Sequence, residues 1–471
     1  MICNKPCSSH NYTCNCGGKS WTSEYRVLDV NYYLPENEKP GAVSAVEQYN
    51  LNHPSGILQY FFTPYSGHIR QIDLAAGLTP LITLEHIGEQ YGARIYMKNE
   101  GDNPSGCFKD RETVMAALNS IANGKKKAVI YSSGNAAASA SLFAAHLGMQ
   151  LITCVAGNTG RGKTDFIRNA GSDVIQIGDR NTTFEEGYRL FAEMNAEGIF
   201  HDYGFDNWSV INPYRVLGDK TSAIEIQKQY EKITGIKGSV PGYVVVPTGN
   251  GSCLVGIWRG FKELKNLGFI GNVPKMVSAA IKNASPVYKA WQNHILSHPA
   301  VCDPEKMDES DKEIGSTIVA EEGYDSIEAT KAVVESGGFA IEASRNDIRK
   351  ALIDLMSLEN GVVNQHAVLP EPASLVTLAA IKKMKRMGEI EGTPTVVAFI
   401  SGHGFKAKEL LVRMLCKRPD LQQQLHRITE KRRNTMQMNG QLPAGRLINV
   451  KNDPAVLENT FRQLSNALNA V

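Results

Sequence analysis

Lys109 stands in the run Asn103-Pro-Ser-Gly-Cys-Phe-Lys109-Asp-Arg111, between a glycine turn and a stretch of helical spacing. Asn-Pro-Ser-Gly reads as a turn. Over 108–123 the apolar residues Val114, Ala117, Leu118 and Ile121 recur at a helical period. A lysine held at such a junction is a candidate Schiff-base former, because burial favours the neutral amine, which can then condense with a carbonyl partner. Taken alone, the pattern also describes a surface lysine in a first helical turn.

Three further polar, glycine-bearing loops follow short apolar runs. Ala128-Val-Ile-Tyr131 leads into Ser132-Ser-Gly-Asn135-Ala136 and an alanine-rich helix to about Leu147. Tyr243-Val-Val-Val246 leads into Pro247-Thr-Gly-Asn-Gly-Ser252 and a helix through Val255, Trp258 and Phe261. Val396-Val-Ala-Phe-Ile400 leads into Ser401-Gly-His-Gly404. β-Branched runs that end in glycine turns and helices predict a parallel α/β sheet. In such sheets ligands collect beyond the carboxyl ends of the strands.

This set of motifs resembles the pyridoxal-phosphate enzymes of fold type II, and most closely threonine synthase. Threonine synthases carry Asn-Pro-Thr-Gly-Ser-Phe-Lys-Asp-Arg, matched here by residues 103–111 with Ser105 and Cys107 as departures. Gly77-Leu-Thr-Pro-Leu81, Asn212-Pro-Tyr-Arg215, Glu335-Ser-Gly-Gly338, Glu371-Pro-Ala-Ser374 and Ser401-Gly-His-Gly404 follow in the family's order, so the likeness covers 77–406. It implies two open twisted αβα domains with the cofactor between them. It also implies a lyase of amino-acid biosynthesis that works as a homodimer. Lys109 would form the Schiff base with pyridoxal 5'-phosphate and act as the catalytic base, with Phe108 beside it. Asn135 would bond the phenolic oxygen. Thr248, Gly249, Asn250, Gly251 and Ser252 would hold the cofactor phosphate, since glycines let backbone N–H groups converge and a helix start adds a favourable dipole. Ser401 would meet the pyridine nitrogen, where a neutral hydroxyl, unlike an aspartate, does not enforce a pyridinium. Ser132, Ser133, Gly134 and Ala136 would receive the substrate carboxylate. Arg215 and Asn250 would take a substrate phosphate, for which a guanidinium fork is suited.

The resemblance implies O-phosphohomoserine as substrate and threonine and phosphate as products. Three departures bear on it: Ala136 stands where a threonine is common, Glu112 where glycine is usual, and Ser209-Val-Ile211 where the family has polar phosphate contacts. The alternatives are β-replacement or β-elimination on O-phosphoserine or threonine, as in a cysteate synthase or a dehydratase, and a catalytically idle homologue used for binding. From another class, Gly157-Asn-Thr-Gly-Arg-Gly162-Lys163-Thr164 matches the P-loop of nucleotide hydrolases after a strand-like run at 151–155. The only candidate for a following magnesium-binding aspartate is Asp202, at the end of Ile199-Phe-His-Asp202.

The 471 residues carry a net charge of +2, which gives no argument for a nucleic-acid partner, and none is expected. With no apolar run of membrane-spanning length and no signal-peptide core, a cytoplasmic enzyme without membrane contact is expected. Cys3, Cys7, Cys14 and Cys16 crowd the N-terminus with Cys-x3-Cys and Cys-x-Cys spacings. Thiolates suit zinc, usually as paired Cys-x2-Cys, so this is a degenerate zinc-ribbon pattern or a hairpin of free thiols. The expected organisation is a Cys-rich hairpin at 1–30, a large cofactor-binding domain at 31–112 and 216–410, a small αβ domain at 113–215, and a C-terminal extension at 411–471. In the extension, 446–450 could be a strand and 454–468 a helix, capped by Asp453 or Asn452 ahead of Pro454.

Overall fold

The computed structural model describes residues 76–200, 203–204, 213–298, 300–302, 307–315, 317–320, 323, 325–436, 447–450 and 453–469. The four N-terminal cysteines, Asn212 and the segment 209–211 lie outside the described residues. The strands in chain order are β1 Leu81–Leu84, β2 Arg94–Asn99, β3 Lys127–Tyr131, β4 Gln150–Ala156, β5 Asp173–Ile177, β6 Tyr243–Pro247, β7 Lys275–Ile281, β8 Phe339–Ala343, β9 Thr395–Ile400 and β10 Leu447–Val450. The chain divides into two compact units. The larger takes the described residues of Leu74–Arg111 and Ser209–Gln437; the smaller takes those of Glu112–Trp208 and Met438–Val471. The division after Arg111 falls inside the helix Lys109–Ala122.

The large unit holds a six-stranded sheet in the order β1-β2-β9-β6-β7-β8. All neighbours pair parallel except β1, which runs antiparallel to β2. Its central strands are buried on both faces, which explains their unbroken apolar runs. The pleat sends alternate side chains to opposite faces. Val396, Ala398 and Ile400 join a core that includes Ile348, Leu352 and Leu378 of the helices Arg345–Leu358 and Val376–Arg386. Val397 and Phe399 join the opposite core, with Ile224, Trp258, Phe261 and Val333 of the helices Pro213–Thr234, Ser252–Asn266 and Ser326–Glu335.

The small unit holds a four-stranded parallel sheet in the order β10-β5-β4-β3. Ala128 and Ile130 pack against Ala136, Ala140 and Ala144 of the helix Asn135–His146, where small side chains let helix and sheet approach closely. Val129 and Tyr131 face the other way, toward Leu190, Phe191, Phe200, Leu457 and Phe461. The segment expected as one extension is therefore shared out. The helix Pro419–Met436 belongs to the large unit, while β10 and the helix Pro454–Asn469 build the edge and part of the core of the small one. Asp453 caps that last helix, accepting from the N–H of Ala455 at 2.9 Å. Among the described residues no helix is long and apolar enough to cross a membrane.

Candidate active site

β2, β9 and β6 lie side by side and parallel, in register at Asn99–Ile400 and Val245–Ala398. Adjacent strands stand about 4.8 Å apart, so the chains leaving their carboxyl ends start within about 10 Å of one another. From β2 come the 3-10 turn Glu100–Asp102 and the lysine loop; from β9 comes Ser401; from β6 comes Thr248. The lysine loop is tied to the Ser401 loop by backbone bonds. The N–H of Phe108 donates to Ser401 O at 2.9 Å, and that of His403 donates to Gly106 O at 2.8 Å. Cys107 and Gly402 form an isolated antiparallel bridge between these bonds.

Lys109 opens the helix Lys109–Ala122 and is half-buried. Its Nζ lies 4.4 Å from the centroid of the Phe108 ring, and that ring meets Phe399 of β9 edge-on at 6.2 Å. The turn before it is shaped by Gly106, at φ +78°, and by Asp110, which accepts from the backbone N–H of Ser105 at 2.7 Å and from its hydroxyl. Ser105, a departure from the family's threonine, thus keeps the hydroxyl that this turn uses. Cys107 is wholly buried, and burial pushes its thiol up to about 11, which suits packing and not nucleophilic chemistry.

A buried ionic network that the motifs did not reveal anchors the far side of this loop. Arg111, two residues after Lys109, donates to Glu100 (2.7 and 2.9 Å), to Glu225 (2.7 and 2.9 Å) and to the hydroxyls of Thr221 and Thr79. Lys98 Nζ donates to Glu225 at 2.7 Å, to Gln229 at 3.0 Å and to the carbonyl of Thr79 at 2.5 Å. Asn103, the first motif residue, donates to Glu100 at 2.7 Å and accepts from the N–H of Gly77 at 2.8 Å. Burial by itself would raise the Glu225 carboxyl, but Arg111 and Lys98 more than offset it and hold it well below the usual carboxylate range. Burial opposes the charge on Arg111 too, and Glu100 and Glu225 overcome it, so the guanidinium stays charged. Glu225 lies on the helix Pro213–Thr234, over a hundred residues downstream of Arg111, and no local spacing announces the pairing.

The third loop forms a cradle. Gly251 has φ +112°, and a Cβ there would come within 2.5 Å of Ala329 Cβ. A Cβ at Gly249 would lie 3.0 Å from Ile318 Cα. Thr248 is fixed below them, its N–H donating to Ala279 O at 2.8 Å and its hydroxyl to Val246 O at 2.9 Å. The helix Ser252–Asn266 begins directly after, with no side-chain cap and no acidic residue in its first turn. Its leading N–H groups thus offer a site for an anion. The helix Pro213–Thr234, whose third residue is the buried Arg215, packs against it, with Lys220 Nζ 2.9 Å from Glu263. That approach requires Gly260, where a Cβ would lie 2.5 Å from Lys220 O.

In the small unit, Ser132, Ser133, Gly134 and Asn135 follow the carboxyl end of β3, half-buried, with Ala136 buried behind them. Ser132 N–H donates to Cys154 O at 3.1 Å, and its hydroxyl accepts from Gly134 N–H at 3.3 Å, so the loop is a tight turn into the helix Asn135–His146. The P-loop match behaves otherwise. Thr164, whose hydroxyl would have to reach a nucleotide's magnesium, is buried and donates to Arg161 O at 2.9 Å within its own helix. Lys163 lies in that helix, Arg161–Asn169.

A family model described as pyridoxal-phosphate dependent enzyme matches residues 72–402. Threonine synthase of Methanocaldococcus jannaschii is 27% identical over 405 residues, covering 85% of this chain and 90% of that protein. Threonine synthase of Mycobacterium tuberculosis is 31% identical over 339 residues, covering 71% and 83%. Among solved structures, threonine deaminase isoform 2 from Solanum lycopersicum superposes with a TM-score of 0.57 at 16% identity, over 80% of this chain and 88% of that one. Maize serine racemase does so with 0.54 at 18%, over 69% and 87%. At such identities these structures establish the shared fold, that of the type II enzymes. The donors found here fit the cofactor: a lysine at a loop-to-helix junction, and a glycine turn, with no room for a Cβ at Gly251, ahead of an uncapped helix start. The chain belongs to the family of pyridoxal-phosphate-dependent enzymes, with threonine synthases among its relatives.

Proposed function

We propose that this protein is a threonine synthase-like lyase that converts O-phosphohomoserine to threonine and phosphate, working as a homodimer. The observation that carries this reading is the delivery of the lysine loop, the Ser401 loop and the glycine cradle from the carboxyl ends of the adjacent parallel strands β2, β9 and β6. The names of the relatives support the substrate class. Pyridoxal phosphate, when bound, supplies an electron sink for the electrons of a breaking Cα–H bond. Lys109 Nζ would hold the cofactor, and its amine, once free of that link, would serve as the base for the substrate's α-proton. The N–H groups of residues 249–252, with Thr248, would hold the cofactor phosphate, and Ser401 Oγ would meet its ring nitrogen. Asn135 would bond its phenolic oxygen. Ser132, Ser133, Gly134 and Ala136 receive the substrate carboxylate through their N–H groups and hydroxyls. Arg215 and Asn250 take the substrate phosphate.

A second reading, elimination or replacement at Cβ of O-phosphoserine or threonine, is favoured by Ala136, which lacks the hydroxyl common at this place. The deciding experiment incubates the enzyme separately with O-phosphohomoserine, O-phosphoserine and threonine, scoring phosphate, threonine and keto acid. Threonine with equimolar phosphate from O-phosphohomoserine alone supports the first reading. Keto acid from O-phosphoserine or threonine supports the second, and inertness toward all three would leave a binding homologue.

A further inference from the structure

Behind Ser401 stand two buried side chains, Glu371 and Ser374, that the motifs named without assigning a role. Ser401 Oγ donates to Glu371 Oε1 at 2.9 Å and lies 2.7 Å from Ser374 Oγ. Ser374 Oγ accepts from the N–H of Gly402 at 3.2 Å. Glu371 is 6% exposed, Ser374 0% and Ser401 5%. Backbone bonds hold the two loops in this register: Glu371 N–H to Gly402 O at 2.9 Å and Gly404 N–H to Leu369 O at 2.6 Å. The Glu371 carboxylate presses on the chain so closely that a Cβ at Gly402 would lie 2.9–3.1 Å from its atoms. The carboxylate is thus fixed in place against Ser401.

We propose that Glu371 is a positioning residue that makes Ser401 an acceptor toward the cofactor ring. A serine hydroxyl has one hydrogen, and a carboxylate can only accept. The charge-assisted bond to Glu371 is about twice as strong as a neutral one and claims that hydrogen. Ser374 Oγ, at 2.7 Å, is then left as donor to Ser401, and the remaining lone pair of Ser401 can meet a third group only if that group carries a proton. On the reading that Ser401 meets the ring nitrogen, that nitrogen is held protonated. Glu371 thus reverses what the neutrality of a serine by itself implies, and the protonated ring is the stronger electron sink.

The test uses the full-length enzyme reconstituted with cofactor carrying 15N at the ring nitrogen, read by solid-state NMR, with circular dichroism as the check on folding. In the wild type the resonance lies at the protonated position, even at pH values where the free cofactor's ring nitrogen is neutral. Glu371→Gln and Ser401→Ala move it toward the neutral position, and Ser374→Ala leaves it where it is. A neutral wild-type resonance overturns the inference and needs no variant to fold. So does a resonance that Ser401→Ala moves and Glu371→Gln does not, in which case Ser401 still meets the ring. If neither variant moves it, Ser401 lies elsewhere and the reading of the site falls with the inference.

Discussion

The N–H of Phe108 donates to the carbonyl of Ser401 at 2.9 Å, joining the residue before Lys109 to the residue that leaves β9. This bond links two loops almost three hundred residues apart in the chain. Together with the bond from His403 N–H to Gly106 O, it fixes the start of the helix Lys109–Ala122 relative to the sheet. Lys109 is thereby held on a rigid element, which is what its proposed role as covalent anchor requires.

Replacing Lys109 by alanine removes both the covalent link and the base, so turnover is abolished and borohydride no longer fixes cofactor to the protein. The residue is half-buried at a helix start, so the far-ultraviolet circular dichroism stays native. Lys163→Ala leaves the cofactor spectrum as it is. A borohydride-stable adduct on the Lys109→Ala protein would sink the assignment.

Gly251→Ala weakens cofactor binding. Its φ of +112° and the crowding against Ala329 leave no room for a methyl group. Strain of this kind costs about 1–3 kcal/mol, which corresponds to roughly five- to 150-fold in Kd if it falls on the bound state. Titration of the apoenzyme with pyridoxal phosphate, followed by fluorescence, reads the change; an unaltered Kd would place the phosphate elsewhere.

Glu225→Gln destabilises the fold by about 3–5 kcal/mol, because it removes the ion-pair partner of the buried Lys98 and leaves Arg111 with Glu100 alone, so two buried cations share one carboxylate. The pH dependence has a definite sign. The folded carboxyl titrates below its unfolded value, so its contribution is complete above about pH 4.3 and is lost as pH falls through the folded pKa. Urea unfolding at a series of acidic pH values should therefore show the wild type losing its advantage over Glu225→Gln as pH drops. A constant difference between the two would mean that Glu225 is not held ionised by its partners.

Arg215→Leu raises the KM for a phosphorylated amino acid while cofactor affinity changes little. Losing a buried charge-assisted pair costs about 2–5 kcal/mol, so kcat/KM falls by about thirtyfold or more. Threonine, which carries no phosphate, should be affected far less. Equal losses for both substrates would make Arg215 a structural residue.

Phe461→Ala destabilises the small unit by about 3–5 kcal/mol, as large-to-small changes in a core do. The ring is buried against Phe200 at 4.9 Å and Tyr203 at 6.0 Å. Thermal unfolding followed by aromatic circular dichroism measures the loss. An unchanged transition would show that the C-terminal helix contributes nothing to that core.

What the sequence by itself determined is what depends on neighbours along the chain. The runs at 128–131, 243–246 and 396–400 are apolar enough to be buried on both faces, and each stops at glycine or serine because a strand must end before its chain can turn. The helix start at Lys109, the cap at Asp453 and the glycine turn at 249–251 are likewise local, set by residues next to each other in the chain. Tertiary structure alone decided the order β1-β2-β9-β6-β7-β8, which sets strands three hundred residues apart next to each other. It alone paired Arg111 with Glu225 and Ser401 with Glu371, since a buried charge or hydroxyl takes the partner that the fold brings to it, and that partner leaves no mark in the spacing. It also gave β10 and Phe461 to the small unit, where a residue from the end of the chain fills a core begun more than three hundred residues earlier.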